Sequence, residues 1–426
     1  MIELRLFRQD PDGVRAALAR RGDPGLTAAL DRIAELDARR RGLVARADTL
    51  KAERNAASEE VARKKKAREP ADDLLAALKL SGEEVKALDA ELRAVEAELE
   101  DAALRIPNLP HPDSPDGDAS ANRVVRTWGE PASFPFAPRP HWEIGEALDI
   151  LDLPRGAKLA GSGFPVLRGA GARLSRALAN FMLDLHTTEF GYTEIAPPYL
   201  ANRASMTGTG QLPKFEDDAY GLPDDLFLIP TAEVPVTNLH RDEILDAGML
   251  PLAYCAWTPC FRREAGAAGK DTRGLIRVHQ FDKVELVRLC APADSDRELA
   301  TITGHAEAVL QRLELPYRVL ELATGDTGFA SARTFDLEVW APGVGAWLEV
   351  SSASVFTDFQ ARRAGLRFRP EAGAKPEFVH TLNASALAFP RTIIALLEHG
   401  QQEDGSVRIP AALVPYLGTD RLAARV

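Results

Sequence analysis

Cysteine is scarce in this chain of 426 residues, which contains only three. Cys255 and Cys260 stand five positions apart, and no CxxC pair accompanies them. This spacing argues against a disulfide framework, and we expect no zinc site. Long apolar runs are missing too, since none approaches the ~18–20 residues that span a bilayer. The early charged residues are unlike a signal peptide, so we expect a cytoplasmic protein without membrane contact.

Several common catalytic signatures are absent as well. The sequence contains no GxxxxGK[ST] phosphate loop, no strand-linked GxGxxG, no HExxH zinc motif and no GxSxG nucleophile motif. Its formal net charge of −11 gives no general attraction for a polyanion, so any nucleic-acid surface must be a local patch. The composition, 45% hydrophobic and 27% charged, is ordinary for a globular chain of two or three domains.

A heptad pattern dominates the first quarter of the chain. Over residues 74–106 an apolar side chain recurs every seven positions, at Leu78, Val85, Leu92, Leu99 and Ile106. This pattern predicts a long coiled-coil helix. A weaker seam precedes it, at Leu36, Leu43, Leu50 and Ala57. Because Pro70 separates the two segments, we expect an antiparallel helical hairpin with its tip near residues 63–70.

The two predicted helices differ in charge. The first helix and the tip carry basic side chains that are candidates for binding RNA, namely Arg39, Arg40, Arg46, Arg54, Lys64, Lys65 and Lys66. The second helix is rich in acidic residues, from Asp72 to Asp101. Ion pairs between the helices would neutralise part of the basic charge. We therefore expect the tip and the arginine-rich helix to be only partly free.

The arm is followed by a linker, because a regular helix is excluded by Pro107, Pro110, Pro112 and Pro115. We divide the chain into an arm domain at residues 1–106, a linker at 107–125 and a second domain at 126–426. Strand-like segments dominate the second domain, at residues 192–196, 226–229, 252–262, 275–289, 334–340 and 346–352. Runs of strands with few intervening helices predict an antiparallel sheet in an α+β fold.

Two of these strands predict a hairpin with a chemically active face. Because side chains alternate along a strand, Arg277, Phe281 and Glu285 should share one face. Arg262 and Glu264 should share a face of the preceding strand by the same rule. Arginine binds phosphate bidentately, and an aromatic ring can stack on a purine. The alternative is a solvated hairpin with cross-strand ion pairs and one phenylalanine in the core.

Hydroxyl and carboxylate groups also recur together elsewhere. Thr231 and Glu233 should lie on one face of an extended segment, and Glu349 and Ser351 should lie on one face of a strand. Carboxylates directed at a triphosphate usually act through Mg²⁺, which prefers oxygen ligands. These pairs therefore favour a site for a phosphorylated ligand.

A last pattern precedes a predicted apolar helix at residues 386–398, which carries Arg391. Asn383 and Ser385 stand just before this helix. A purely structural interpretation is that they cap it. The glycine run at residues 207–211 indicates either a loop or a substrate lid.

Taken in order, these motifs resemble those of the bacterial-type seryl-tRNA synthetases, which are class II aminoacyl-tRNA synthetases. The resemblance covers essentially the whole chain and rests on residues 191–198 (motif 1), 209–215, 261–286 (motif 2), 357–363 and 383–391 (motif 3). It implies an N-terminal antiparallel coiled-coil hairpin, followed by a class II catalytic domain with an antiparallel β-sheet flanked by helices. Motif 1 implies a homodimer in which each arm serves the tRNA of the other subunit.

The resemblance also implies a reaction. The chain would activate L-serine with ATP and Mg²⁺, giving seryl-adenylate and pyrophosphate. Serine would then pass to the 3′ end of tRNA(Ser), with tRNA(Sec) left open as a second acceptor.

Roles for individual residues follow from the same resemblance. Arg262, Glu349 and Arg391 would be catalytic, and Glu349 and Ser352 would coordinate Mg²⁺. Adenine would stack between Phe281 and Arg391. The implied serine-binding set is Thr231, Ala232, Glu233, Arg262, Glu285, Asn383 and Ser385. The implied ATP-binding set is Arg262, Arg263, Glu264, Arg277, Val278, Phe281, Glu349, Val350, Ser351, Ser352 and Arg391.

The chain departs from the family pattern at several positions, among them Gly163, Ala353, Val355 and Ala384. These departures leave open a lineage variant or a second, inhibitor-tolerant copy. Two other interpretations are a synthetase-like paralogue that loads another amino acid or acceptor, and a non-catalytic RNA-binding derivative. The complete arm favours tRNA over a carrier protein, and the retained Arg262, Glu285 and Arg391 favour a working enzyme.

Overall fold

The chain divides into two compact units, and the computed structural model describes residues 1–265 and 273–423. The smaller unit contains residues 2–19 and 23–106, whereas the larger unit contains Met1, residues 20–22 and the chain from Pro107 onward. The glycine-bearing loop of the predicted hairpin falls mostly within residues 266–272, outside the described residues. No helix in the described part of the chain is long and apolar enough to cross a membrane.

Two long helices make up most of the smaller unit. Its helices are α1 (Leu6–Gln9), α2 (Pro11–Ala19), α3 (Gly25–Ala67) and α4 (Asp72–Leu104). At 1.5 Å per residue, α3 is about 65 Å long. The two long helices run antiparallel, because residues near the start of α3 contact residues near the end of α4, as in the ion pair of Arg32 with Glu98. The predicted helical hairpin is confirmed.

The turn between α3 and α4 has a clear local cause. Arg68 adopts a left-handed φ of 59°, and its N–H bonds to the carbonyls of Lys64 and Lys65 at the helix end. Pro70 follows, where a proline cannot continue the hydrogen-bonding pattern of a helix. The chain therefore reverses at residues 68–71.

The seam of α3 explains why its heptad pattern is weaker than that of α4. Ile33, Ala47 and Val61 are buried at the heptad position that complements the predicted seam. Arg40 and Arg54 occupy the same heptad position between them. Apolar residues therefore alternate with arginine along α3, while the seam of α4 is apolar throughout from Val85 to Leu99, with Val85, Leu88, Val95 and Leu99 buried and Leu92 half-buried.

An eight-stranded sheet forms the centre of the larger unit. In chain order its strands are β1 (Arg123–Trp128), β2 (Thr193–Glu194), β3 (Leu252–Phe261), β4 (Gln280–Cys290), β5 (Tyr317–Glu321), β6 (Arg333–Ala341), β7 (Ala346–Thr357) and β8 (His380–Ala388). They are arranged in the order β1-β5-β6-β7-β8-β4-β3-β2. Only the contact of β2 with β3 is parallel among these neighbouring pairs of described strands, so the predicted antiparallel α+β fold is confirmed.

The remaining elements of the larger unit are shorter or lie outside this sheet. The helices are α5 (His141–Ala147), α6 (Leu153–Ala160), α7 (Ala170–Thr188), α8 (Arg203–Gly208), α9 (Glu233–Thr237), α10 (Ser295–Arg312), α11 (Phe359–Ala364), α12 (Phe389–Gly400) and α13 (Val414–Leu417). The short strands are Leu151–Asp152, Val166–Leu167, Leu200–Asn202, Gly221–Leu222, Leu226–Leu228, Ile244–Asp246, Arg367–Arg369, Glu377–Phe378, Val407–Arg408 and Arg421–Leu422.

The main core lies between one face of the sheet and helices α7, α10 and α12. Val284 and Leu286 of β4 are fully buried in this core with Leu178 of α7 and Ile394 of α12. Glu285 stands between the two β4 residues and points to the opposite face, because side chains alternate along a strand. The polar groups of the central strands thus collect on the face away from these helices.

The strand predicted at residues 275–289 begins later, at Gln280. Its neighbour β3 ends at Phe261, which pairs with Gln280, so the preceding residues have no strand to pair with. Gly274 has a φ of 67° and turns the chain just before Leu275. The residues after this turn are held by separate hydrogen bonds instead of a ladder.

Candidate active site

Arg262 stands in the middle of a cleft on the polar face of the sheet. It follows directly after β3, where its backbone N–H donates to the carbonyl of His279 at 2.9 Å. The central carbon of its guanidinium lies 5.3 Å from the centre of the Phe281 ring, within cation–π range. Arg262 lines a first cavity of about 160 Å³ and a second cavity of about 270 Å³, and therefore joins them.

The first cavity combines apolar walls with guanidinium groups. Its lining includes Glu264, Ile276, Arg277, Val278, Phe281, Glu349, Val350, Pro390 and Arg391. An aromatic ring between aliphatic side chains suits a purine, and guanidinium groups suit phosphates. The first cavity can therefore hold a nucleotide.

Arg391 is fixed at the first turn of α12 by contacts with two other segments. Its Nη1 donates to the backbone carbonyl of Glu349 at 2.7 Å, and its Nε donates to the carbonyl of Ile276 at 3.1 Å. The Arg391 guanidinium also lies 3.6 Å from the Glu349 carboxylate. Arg391 thus ties α12, β7 and the segment after Gly274 together at one end of the first cavity.

Glu264 and Arg277 meet in a way that the sequence did not predict. Neither residue lies in a strand, because β3 ends at Phe261 and β4 begins at Gln280. The predicted strand faces are therefore wrong for these two residues. Glu264 adopts a left-handed φ of 51°, and its carboxylate forms an ion pair with Arg277. The turns on either side of the strands bring the pair to the first cavity.

One buried carboxylate lines the second cavity, and another contacts its lining residues from behind. Thr231 and Glu233 line it directly. Glu285 is only 1% exposed; it accepts a hydrogen bond from Asn383 Nδ2 at 3.1 Å and forms an ion pair with Lys283. Lys283 Nζ also donates to the Thr231 hydroxyl at 3.0 Å. One buried lysine therefore connects the hydroxyl and a carboxylate.

The electrostatics of this cluster favour a cationic ligand. Burial, reinforced by the nearby Glu285 carboxylate, raises the pKa of Glu233 to about 7. Burial also raises the pKa of Glu285, against the opposing charges of Lys283 and Arg262. A ligand ammonium group would stabilise both ionised carboxylates, while Arg262 remains available to a ligand carboxylate. The second cavity therefore suits an amino acid.

Lys283 was not predicted as a site residue, although the sequence contains the signal. It lies on β4 between Phe281 and Glu285, and the same alternation that groups those two residues includes it. A lysine at a position with 5% exposure, next to a buried carboxylate, is a functional candidate on physical grounds.

Thr231 and Glu233 reach the second cavity by a turn, not by an extended segment. Helix α9 begins at Glu233, and the Glu233 N–H donates to Thr231 Oγ1 at 3.2 Å. The predicted extended geometry is therefore wrong, but the two side chains still meet. Ala232 between them is fully buried in the core.

Glu349 and Ser351 do not share a face of β7. The pairing of β6 with β7 contains a β-bulge that skips Val350. Ser351 is 1% exposed, and its hydroxyl donates to the carbonyl of Ser385 at 2.5 Å. Glu349 and Ser352 line the second cavity instead. The bulge thus removes Ser351 from the predicted face and brings in Ser352.

The oxygen atoms around Glu349 and Ser352 fit a divalent cation. Asp336 is paired with Ser352 across β6 and β7, and one of its carboxylate oxygens is buried without a hydrogen-bond partner among the described residues. Burial, together with the Glu349 charge, raises the pKa of Asp336. Within residues 1–265 and 273–423, no three His, Cys, Asp or Glu side chains form a metal cluster. This partial set suits Mg²⁺, which commonly completes its shell with substrate phosphates and water.

Asn383 and Ser385 lie within a strand, so their interpretation as helix caps is wrong. Pairing of β8 with β4 continues to Ala388, and α12 begins only at Phe389. Ser385 is the register partner of Glu285 and lines both cavities. The apolar segment that was predicted to be all helix is therefore part strand and part helix.

Arg263 lies apart from the other predicted ATP-binding residues. Its side chain is exposed, and its backbone N–H donates to the carbonyl of Asp218 at 3.0 Å. Neither cavity has Arg263 in its lining.

Comparisons with known proteins agree with this geometry. The family model of the seryl-tRNA synthetase N-terminal domain matches residues 1–110, and that of the tRNA synthetase class II core domain (G, H, P, S and T) matches residues 214–400. The chain is 58% identical over 425 residues to the serine–tRNA ligase of Gemmatimonas aurantiaca, which covers 99% of this chain and 100% of that protein. The chain belongs to the seryl-tRNA synthetase family.

Solved structures of the family share the whole fold. The crystal structure of seryl-tRNA synthetase from Pyrococcus horikoshii complexed with ATP has a TM-score of 0.95 and 38% identity, with 100% of both chains covered. The cytoplasmic serine–tRNA ligase from Naegleria fowleri in complex with AMP has a TM-score of 0.87 and 30% identity, covering 100% of this chain and 99% of that one. The predicted class II fold is confirmed.

The departures from the seryl-tRNA synthetase pattern lie in the packing. Ala353 and Ala384 are register partners on β7 and β8, and both are fully buried. The family pattern that the resemblance implies has cysteine at residue 353 and glycine at residue 384, so this chain has the smaller side chain at the first position and the larger side chain at the second. Such paired changes conserve volume. Gly163 has a φ of 80°, and a side chain there would lie 2.6 Å from the His279 ring.

A buried histidine that the sequence did not reveal supports the first cavity of this family member. His141 is fully buried, and its Nε2 accepts the Leu275 N–H at 3.0 Å. The proton of the imidazole must then be on Nδ1, which lies 3.0 Å from the Glu398 carboxylate on α12. His141 and Arg391 thus anchor neighbouring residues, Leu275 and Ile276, to α12. Only the tertiary structure brings these segments together.

The arm of this family member uses part of its basic charge internally. Three predicted RNA-binding residues pair with α4: Arg39 with Glu91 at 2.7 Å, Arg40 with Glu96 at 3.9 Å and Arg46 with Glu84 at 2.5 Å. Arg54, Lys65 and Lys66 form no ion pair with any residue that the structure describes. The free basic charge is therefore concentrated toward the tip.

Proposed function

We propose that this chain is an ATP-dependent serine–tRNA ligase, which makes seryl-adenylate and then charges tRNA(Ser). The proposal depends most on one observation, that Arg262 lines both a cavity suited to a nucleotide and a second cavity lined by Glu233, with Glu285 buried behind Lys283 and Asn383 of that second lining. The relatives from Pyrococcus horikoshii and Naegleria fowleri, solved with ATP and AMP, support a nucleotide in the first cavity.

The chemistry of activation needs positioning more than a protein nucleophile. The serine carboxylate attacks the α-phosphorus of ATP, and the bond from that phosphorus to pyrophosphate breaks. Arg262 binds both the carboxylate and the α-phosphate, so it holds the reacting atoms together and offsets their negative charge. Arg391 binds the γ-phosphate end, and Phe281 stacks on adenine.

The second cavity gives specificity for serine. We assign the serine ammonium to Thr231 and Glu233, and its hydroxyl to Glu285 and Ser385. A site built to hydrogen-bond a hydroxyl rejects an analogue without one by roughly 10⁴-fold or more, because its buried polar groups are left unpaired. Alanine is therefore excluded strongly. Threonine must be excluded by volume, which is a weaker principle.

We further infer that Glu349 and Ser352 hold Mg²⁺ against the phosphates, since both present oxygen atoms to the second cavity next to Arg262. An Mg²⁺ ion held by these two residues would supply positive charge to offset the negative charge of the phosphates. The carboxylate of Glu349 is kept in place by Arg391, whose guanidinium lies 3.6 Å away.

We propose that basic side chains of the arm bind the sugar–phosphate backbone of the tRNA. Of the predicted RNA-binding residues, Arg54 and the lysines Lys64, Lys65 and Lys66 form no ion pair with α4 in the described part of the chain, whereas Arg39, Arg40 and Arg46 do. Phosphate contacts position an RNA without reading its sequence. We retain the proposed division into arm (residues 1–106), linker (107–125) and catalytic domain (126–426). A cytoplasmic homodimer, with each arm serving the tRNA of the other subunit, belongs to the same proposal, and tRNA(Sec) is a second acceptor to test.

The experiment that tests the activation step compares amino acids in ATP–pyrophosphate exchange. Purified protein is assayed with serine, threonine and alanine side by side, with Mg²⁺ present. We expect exchange with serine, at least 10²-fold weaker exchange with threonine, and still weaker exchange with alanine. A preference for any amino acid other than serine would instead identify a paralogue with another substrate.

A further inference from the structure

We propose that Gln360 is a positioning residue, which holds the Glu233 carboxylate in place for the serine ammonium group and links it to residues 207–212. The inference rests on the proposed function, because it assigns a task within the serine site. Gln360 lies on α11, and it does not line either cavity.

The contacts of Gln360 use its whole side-chain amide. The residue is fully buried, and its Nε2 donates to Glu233 Oε1 at 2.6 Å and to the Thr209 carbonyl at 3.1 Å. Its Oε1 accepts a hydrogen bond from the Thr381 hydroxyl at 2.6 Å. Because a carboxylate and a carbonyl can only accept, the amide nitrogen must face Glu233 and Thr209. The orientation of the amide is thereby fixed.

Arg363, about one turn further along α11, contacts the same segment. Arg363 Nη1 donates to the Leu212 carbonyl at 3.1 Å and lies 3.4 Å from the Thr207 carbonyl. Thr209 stands between these two points, and the segment continues into the wall of the second cavity. One short helix therefore fixes both this wall and the Glu233 carboxylate. Because Gln360 Nε2 bonds to both the Thr209 carbonyl and the Glu233 carboxylate, this side chain sets the distance between the cavity wall and that carboxylate.

The charge of Glu233 depends on this contact. Burial and the Glu285 carboxylate disfavour its ionised form and raise its pKa, whereas the Gln360 hydrogen bond favours that form more than the charge of Lys283 or that of Arg262 does singly. A donor lost from a buried carboxylate leaves the desolvation penalty uncompensated. Removing the Gln360 N–H should therefore raise the pKa of Glu233 further. A residue with a merely structural role would leave that pKa where it is.

The test compares Gln360→Met with a matched control, Gln401→Met. Gln401 is also a buried glutamine; its Nε2 donates to the carbonyls of Arg139 and Glu398, and it does not line either cavity. The measurement is the pH profile of kcat/KM for serine in ATP–pyrophosphate exchange, together with KM for ATP. For Gln360→Met we expect a roughly 10- to 100-fold rise in KM for serine, the equivalent of one hydrogen bond to a charged group. The acid limb should move to higher pH by about one unit, and KM for ATP should change less than about threefold.

The Gln401→Met control should lower thermal stability and leave the acid limb in place. An unchanged limb in Gln360→Met, with activity lost equally at every pH, would overturn the inference. Gln360→Glu provides an isosteric second variant in case the methionine does not fold. Its carboxyl group should share a proton with Glu233 and also move the limb upward, and an unmoved limb there would equally overturn the inference. If the unmodified protein prefers another amino acid, the proposed function fails, which is a separate outcome.

Discussion

At the scale of single residues, the buried pair of Glu285 and Lys283 determines what the second cavity demands of a ligand. Glu285 is 1% exposed and Lys283 is 5% exposed, so neither charge is compensated by water. Breaking such a pair by removing one partner is strongly unfavourable, because the other charge stays buried without compensation. The pair therefore has to be satisfied by its neighbours and by the ligand together.

Glu285→Gln removes this carboxylate while preserving shape. We expect serine-dependent pyrophosphate exchange to fall by at least ~10²-fold, because the serine hydroxyl loses a charged acceptor and Lys283 loses its partner. ATP binding should persist, since Glu285 does not line the first cavity. Glu321→Gln is the matched control, because Glu321 is a fully buried carboxylate that pairs with Arg123 and Arg333 on another part of the sheet. Exchange retained within about threefold would remove Glu285 from the serine site.

A pH dependence follows from Glu233. Its pKa is raised to about 7, so this carboxyl group is increasingly protonated as pH falls through 7. The protonated form cannot pair with an ammonium ion, and kcat/KM for serine should drop about tenfold between pH 8 and pH 6. KM for ATP should stay nearly constant over the same range. A serine profile that is flat from pH 6 to 8 would contradict the assigned role of Glu233.

Some of these site residues could be predicted from the sequence, and others could not. Strand alternation placed Phe281 and Glu285 on one face, and Lys283 between them follows the same rule. Gln360 stands far from Glu233 in sequence, and nothing in its local pattern indicates that a helix of six residues brings the two together. Tertiary contacts of this kind have no periodicity to reveal them.

At the scale of elements, the link from Leu275 through His141 to Glu398 of α12 holds the base of motif 2. His141→Gln keeps a polar group but cannot both donate to Glu398 and accept from Leu275 in the same geometry. We expect KM for ATP to rise about tenfold and KM for serine to change less than about threefold, because Ile276 next to Leu275 positions Arg391. Isothermal titration with a non-hydrolysable ATP analogue measures the binding directly.

His399→Gln is a suitable control for that experiment. His399 lies on α12, the helix that also carries Glu398. Its Nε2 lies 2.8 Å from the Trp340 carbonyl, which is its one hydrogen bond among the described residues. Its substitution should affect stability without changing the ratio of the two KM values. An equal rise of both KM values in His141→Gln would indicate general loosening instead of a specific effect on the nucleotide.

The regular periodicity of the long helices made them predictable from the sequence. The irregular backbone of the segments that form the active site made the positions of their side chains difficult to predict. The heptads of α4 correspond to an observed helix of 33 residues. The bulge at Val350 and the turn before α9 each break a simple alternation rule, and each decides which side chains face a cavity. The start of α12 was misplaced because β8 and α12 are both apolar, and composition does not mark where one ends.

At the scale of the whole molecule, arm and catalytic domain are proposed to divide the labour. Replacing residues 38–98 with a short linker removes most of the arm. The two ends of this deletion lie close together, because Arg40 of α3 contacts Glu96 of α4 just inside them. Serine-dependent pyrophosphate exchange should remain within about threefold, because none of the deleted residues lines either cavity. Charging of tRNA should fall by more than ~10²-fold, because the phosphate contacts of the arm are lost. Equal losses in both assays would argue against this division.

The most direct measurement identifies both products of the complete reaction. The purified protein is incubated with ATP, Mg²⁺, all twenty amino acids and total bacterial tRNA, and the aminoacylated RNA is isolated, sequenced and analysed for its ester-linked amino acid by mass spectrometry. Our account predicts serine on tRNA(Ser), with tRNA(Sec) also recovered if it is an acceptor. Another amino acid on the RNA, or seryl-adenylate without any charged tRNA, would contradict it.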